Sequence, residues 1–138
     1  MEKINIIIVE NDEDEQFFMK GGCECTGCFN IIAFASNGDE LLELLNETTD
    51  KYPDLILSDL NMPGKNGYDI LKELRADLQF FEIPIFITST SSIKSVIDNC
   101  MRLGATKFLQ KPETFVEYED FAKELAVTFR LMQQKQNV

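Results

Sequence analysis

Apolar runs of strand length alternate with amphipathic stretches along this chain, and no other feature constrains its fold as tightly. The runs fall at residues 4–9 (INIIIV), 31–35 (IIAFA), 55–58 (LILS), 85–88 (IFIT) and 108–109 within KFLQ. Near-continuous apolar runs bounded by turns are what strands covered on both faces look like. Between them the period changes to that of a helix. Residues 39–46 (DELLELLN) follow an Asn37-Gly38 turn, and residues 68–74 (YDILKEL) follow Pro63-Gly64-Lys65-Asn66-Gly67. Over 93–103 the apolar positions are Ile93, Val96, Ile97, Cys100 and Met101, with Gly104 as a C-terminal stop. A last and longest helix is expected from Phe115 to about Gln134, with Phe121, Leu125, Thr128 and Phe129 at helical spacing. The first helix, about Asp14 to Cys25, carries Gly21 and Gly22, each costing about 1 kcal/mol against alanine.

Five strands alternating with five helices predict an α/β domain, a parallel sheet with right-handed crossovers and helices on both faces. No repeat, low-complexity tract or linker interrupts the chain, so residues 1–138 are read as one domain. At that length a continuous core forms without disulfides or metal staples. Thirteen basic against 24 acidic residues leave a net charge of −11, a surface that repels nucleic acid and suits protein partners with a basic or apolar face. No apolar run approaches the roughly 20 residues of a membrane span, and the first residues lack the layout of a signal peptide. The expected location is cytoplasmic, with no membrane contact.

Absences narrow the chemistry. With no histidine there is no Ser-His or Cys-His dyad, no histidine metal ligand and no histidine phosphocarrier. No G-x-x-x-x-G-K-[ST] run exists to cradle a nucleotide. Cys23, Cys25 and Cys28 lie close together, but they lack a fourth ligand. Cys100 belongs to a later helix expected on the other face of the sheet, so all four are read as reduced thiols.

In an open α/β sheet, ligands bind beyond the carboxyl ends of the strands, where the strand order reverses. The residues just past each apolar run therefore matter: Glu10-Asn11-Asp12 after the first, Asp59 after the third, Ser89 after the fourth and Lys111 after the fifth. In the flavodoxin-like order 2-1-3-4-5, these residues face one crevice. Crowded carboxylates repel, and a hard divalent cation such as Mg²⁺ relieves them. Such a cation and a lysine together also neutralise a transferring phosphoryl group, and an ionised carboxylate attacks phosphorus without a general base. Asp59, ending the central strand, is the best placed nucleophile. The acidic residues 13–15 read as a solvated first helical turn favoured by the helix dipole. Thr90 to Ser92 read as helix-capping residues. The 10–15 cluster is not an EF-hand, since the glycine at the sixth position is missing.

Four segments carry a resemblance. Residues 53–67 (PDLILSDLNMPGKNG), the IIIVE stretch ending at Glu10, residues 84–90 (PIFITST) and residues 104–112 (GATKFLQKP) resemble bacterial response-regulator receiver domains, in order and at suitable spacing. The likeness covers essentially the whole chain. It implies that Asp59 is phosphorylated by a partner sensor histidine kinase or phosphotransfer protein, in a Mg²⁺-dependent reaction relayed to a downstream protein target. Glu10, Asn11 and Asp59, with the backbone carbonyl of Asn61, match the metal positions. Ser89 matches the switch hydroxyl, Lys111 the lysine that pairs with the phosphoryl group, and Phe108 the aromatic residue whose rotamer follows the switch. Lys111-Pro112 matches a peptide bond that is typically cis. Such a domain is not an enzyme beyond assisting its own phosphorylation and dephosphorylation.

One position departs from that pattern. Asn11 stands where the family usually has an aspartate, which removes one negative charge and predicts weaker Mg²⁺ binding; Asp12 is the candidate replacement. This departure motivates an alternative, a docking module that works without phosphate. A second alternative is a phosphatase with an aspartate nucleophile, but Asn61 stands where such enzymes place a second acid. A flavin role is disfavoured, because the acidic loop after the first strand would repel the flavin phosphate.

Overall fold

A computed structural model describes residues 2–47 and 52–136. Five strands, β1 (Ile4–Val9), β2 (Phe29–Ala35), β3 (Leu55–Asp59), β4 (Ile85–Ser89) and β5 (Lys107–Gln110), form one parallel sheet in the order β2-β1-β3-β4-β5. The helices α1 (Glu13–Thr26), α2 (Gly38–Glu47), α3 (Gly67–Ala76), α4 (Lys94–Arg102) and α5 (Tyr118–Gln136) come after the strands in turn. Val138 lies outside the described residues, so the expected span of a single domain, 1–138, reaches beyond them. Among those residues no helix is long and apolar enough to cross a membrane.

Strand side chains alternate between faces, and the two faces bury different helices. Ile4, Ile6 and Ile8 of β1, Leu55 and Leu57 of β3, and Phe86 of β4 pack with Met19 and Cys23 of α1 and Phe121, Leu125 and Phe129 of α5. The intervening Ile7, Val9, Ile56, Ile85 and Ile87 pack with Leu41 and Leu45 of α2, Ile70, Leu71 and Leu74 of α3, and Cys100 of α4. Both faces of each central strand are therefore apolar, which explains why these strands read as unbroken runs. Cys23 and Cys100 lie on opposite faces, as expected, and all four cysteines are free thiols.

Gly22 has a packing reason that the local sequence conceals. A Cβ there would lie 2.5 Å from the backbone oxygen of Tyr118, so only glycine lets α1 come this close to α5. Gly104 does close α4, at φ +106°, and its amide donates to the carbonyl of Met101.

Three local expectations change. Helix α5 starts at Tyr118, because Phe115–Glu117 forms one tighter 3₁₀ turn whose aromatic residue stacks on Phe18. Thr90 to Ser92 do not cap α4: its N-cap is Ile93, with no side-chain bond, and Ser91 Oγ instead accepts the Ile93 amide within the preceding loop. The Lys111-Pro112 bond is trans, since there is no cis peptide among the described residues. Trans is the lower-energy isomer before proline by about 0.5–1 kcal/mol.

Candidate functional site

The alternation that sorts the core also builds the site. Glu10 continues the Ile6, Ile8 row of β1, and Asp59 continues the Leu55, Leu57 row of β3, so both carboxylates emerge on the α1/α5 face at the carboxyl edge. Lys111, two residues beyond Leu109, continues the row of β5 on that face. All three are nearly inaccessible, at 2% exposure for Glu10, 6% for Asp59 and 7% for Lys111.

Lys111 joins them. Its ammonium lies 2.8 Å from Glu10 Oε1 and 3.2 Å from Asp59 Oδ1, and it also donates to the carboxylate of Glu15. Three carboxylates thus surround one ammonium. Sequence reasoning missed Glu15. It sits in the first turn of α1, where an acid is explained by the helix dipole alone, yet its side chain turns inward. The spacing signal was faint: Glu15 lies five residues after Glu10 in an acidic run with no local mark of its role.

Burial acts first on every group of the cluster, and the neighbouring charges decide where each ends. Burial, then the hydrogen bond with Glu15, pushes Glu10 up to about 7, against the pull of Lys111. Burial also opposes ionisation of Glu15, but the hydrogen bonds from Glu10 and Lys111 prevail and hold it below the usual glutamate range. Burial raises Asp59 as well, with Lys111 and the backbone amide of Asn61 working the other way. Burial would lower Lys111, yet its bonds to Glu10 and Glu15 and the charge of Asp59 keep it protonated above the ordinary lysine range.

The remaining expected residues form the rim. Ser89 is buried at the end of β4, and its Oγ accepts from the Ser91 amide at 3.2 Å and stands 3.5 Å from Asn61 Nδ2. Asn61 and Asn11 are exposed on loops beside the carboxylates. Asp12 caps α1: its Oδ1 accepts the amides of Asp14 and Glu15. Phe108 is half-buried in β5 opposite Ile87, against the α2–α4 core. Thr88, which pairs with Asp59 in the sheet, keeps a buried hydroxyl with no hydrogen-bond partner among the described residues.

These residues fit a divalent cation. Three carboxylates meet one ammonium, and the negative charge left over is what a hard divalent cation relieves. Among the described residues no three acidic, cysteine or histidine side chains form a metal cage, so backbone and water oxygens would complete the shell, as Mg²⁺ prefers. The cysteine cluster forms no such cage either.

Residues 6–122 match the response regulator receiver domain family. The transcriptional regulatory protein MalR of Bacillus subtilis is 34% identical over 139 residues, covering 96% of this chain and 57% of MalR. The chain spans about half the length of the first curated relatives it matches. Two solved structures share the fold. The phosphorylated cyanobacterial phytochrome response regulator RcpA superposes with a TM-score of 0.79 at 23% identity, over 90% of this chain and 91% of RcpA. The Mn²⁺-bound response regulator Rcp1 superposes with a TM-score of 0.73 at 19% identity, over 88% of this chain and 91% of Rcp1.

Proposed function

The chain belongs to the response regulator receiver domain family, and from that premise we propose that it is a phosphoacceptor switch with Asp59 as the acceptor. One observation carries the reading: a buried aspartate at the end of the central strand holds its carboxylate 3.2 Å from a buried lysine ammonium. Receiver domains interact with histidine kinases or phosphotransfer proteins and with downstream targets, and they generally bind Mg²⁺.

In the proposed reaction a lone pair on an Asp59 carboxylate oxygen forms an O–P bond as the donor's P–N bond breaks. The bonding electrons stay on the donor imidazole. Lys111 serves twice: it favours the ionised, nucleophilic form of Asp59, and it neutralises charge on the phosphoryl oxygens. Glu10 and Asp59 with the Asn61 carbonyl would hold Mg²⁺, which supplies further neutralisation of the phosphoryl oxygens. Ser89, one residue beyond Thr88, the partner of Asp59 on the next strand, would donate its hydroxyl to a group added to Asp59. The metal named for Rcp1 supports a divalent ion here.

The added group carries about −1.5 to −2 charge, which recruits Ser89 and Lys111 and biases a two-state surface. Output is assigned to the α4–β5–α5 face, where Ile93 and Met101 of the α4 segment stand 63% and 44% exposed despite their apolar character.

Incubation with a small acyl phosphate and Mg²⁺ tests the reading by intact mass. Wild type should gain one phosphoryl group and Asp59→Asn none. Equal labelling of both would refute Asp59 as the acceptor, and labelling of neither would refute the phosphoacceptor function.

A further inference from the structure

We propose that Glu15 is a displaceable counter-anion, which holds Lys111 in the unphosphorylated state and must leave when a phosphoryl group arrives. The inference deepens the phosphoacceptor reading and rests on it. Lysine has three N–H donors; here the ammonium donates to the carboxylates of Glu10 and Glu15, and Asp59 Oδ1 stands 3.2 Å away. A phosphoryl oxygen on Asp59 would compete with these carboxylates for the ammonium.

The three partners differ in how freely they can go. Asp59 carries the new group and stays. Glu10 is buried at the end of β1, and its second oxygen also accepts the Asp12 amide at 3.1 Å. Glu15 differs from both. Its side chain is 28% exposed, and among the described residues its partners are Lys111 and Glu10. The backbone of its helical turn is held by the Asp12 cap, not by its own carboxylate. Rotation of one side chain into solvent therefore releases Lys111 without opening the fold.

Glu15 also opposes the incoming group directly, as a carboxylate beside a phosphate dianion. On both counts it stabilises the empty state over the phosphorylated one. It acts through Lys111 and is a positioning residue. A charge-neutral replacement should shift the balance toward the phosphoryl-bound form.

Beryllium trifluoride, a non-covalent stand-in for the phosphoryl group on an aspartate, reads this shift at saturating Mg²⁺ without any catalysis. Glu15→Gln should bind it more tightly, on the order of fivefold, the size of a partly exposed ion pair. Glu15→Asp keeps the charge but falls one methylene short of Lys111, and it should side with Gln. In a Lys111→Met background, Glu15→Gln should have little effect, because the ammonium it competes for is gone. Unchanged or weaker binding in Glu15→Gln, wild-type behaviour of Glu15→Asp, or a full effect that survives in Lys111→Met would each overturn the assignment to Glu15 while leaving Asp59 as acceptor. If wild type binds no beryllium trifluoride at all, the phosphoacceptor reading itself falls, and this inference with it.

Discussion

Lys111 and Cys23 are two buried groups whose surroundings act on them in opposite ways. Lys111 stays charged because three carboxylates offset its lost hydration, and losing that ammonium would leave Glu10 and Asp59 facing each other unpaired. Cys23 has no such compensation. Burial against α5, with smaller contributions from Glu24 and Cys28, pushes its thiol from about 9 up to about 12. The folded pKa is the higher one, so the neutral thiol stabilises the fold fully below the unfolded value. That contribution is lost as pH climbs from about 9 toward 12. The denaturation midpoint should fall across that window. Alkylation at about pH 8 should label exposed Cys25 first, and reach buried Cys23 and Cys100 only after unfolding. Rapid modification of Cys23 in the native protein would contradict its placement.

Among the elements, α1 links the core to the chemistry. Its inner face packs Met19 and Cys23 against α5, its cap is Asp12, and its first turn delivers Glu15 to Lys111. Gly22 sets how closely it lies against α5. Gly22→Ala should cost about 1–3 kcal/mol, because the new methyl meets backbone that cannot swing aside. Gly21→Ala makes a fair control: a Cβ there meets nothing within 4 Å, and alanine favours the helix. Urea denaturation should find the first variant destabilised and the second unchanged or slightly stabilised. Equal effects would mean that the glycines matter only through helix propensity.

At the scale of the whole molecule, the sheet gathers charges from distant parts of the chain onto one edge. Glu10 and Lys111 are 101 residues apart in sequence, and their approach depends on β1 and β3 lying side by side with β4 and β5 beyond. Three carboxylates against one ammonium make this edge the place where a divalent cation should stabilise the fold. At tenfold excess over its Kd, Mg²⁺ should add about 1.4 kcal/mol, read as a saturable rise in the denaturation midpoint. Asn11→Asp, which returns a carboxylate to the rim, should reach that rise at lower Mg²⁺, and Asp59→Asn should blunt it. A midpoint indifferent to Mg²⁺ in all three proteins would remove the metal from the proposed mechanism.

The amino-acid order by itself determined which elements exist, since an apolar run closed by a turn and an amphipathic repeat are local properties. It also marked Glu10, Asp59, Ser89 and Lys111, because each stands where an apolar run stops and a parallel sheet turns its carboxyl edge to the site. Strand boundaries moved by only a residue or two. Glu15 was illegible for a physical reason: an acid in a first helical turn is fully explained by the helix dipole, and only the meeting with a lysine 96 residues away gives it another role. Gly22 was likewise a local cost until Tyr118 arrived beside it. What tertiary structure alone decided is distance between residues far apart in the chain, and the electrostatics of the site depend on that distance.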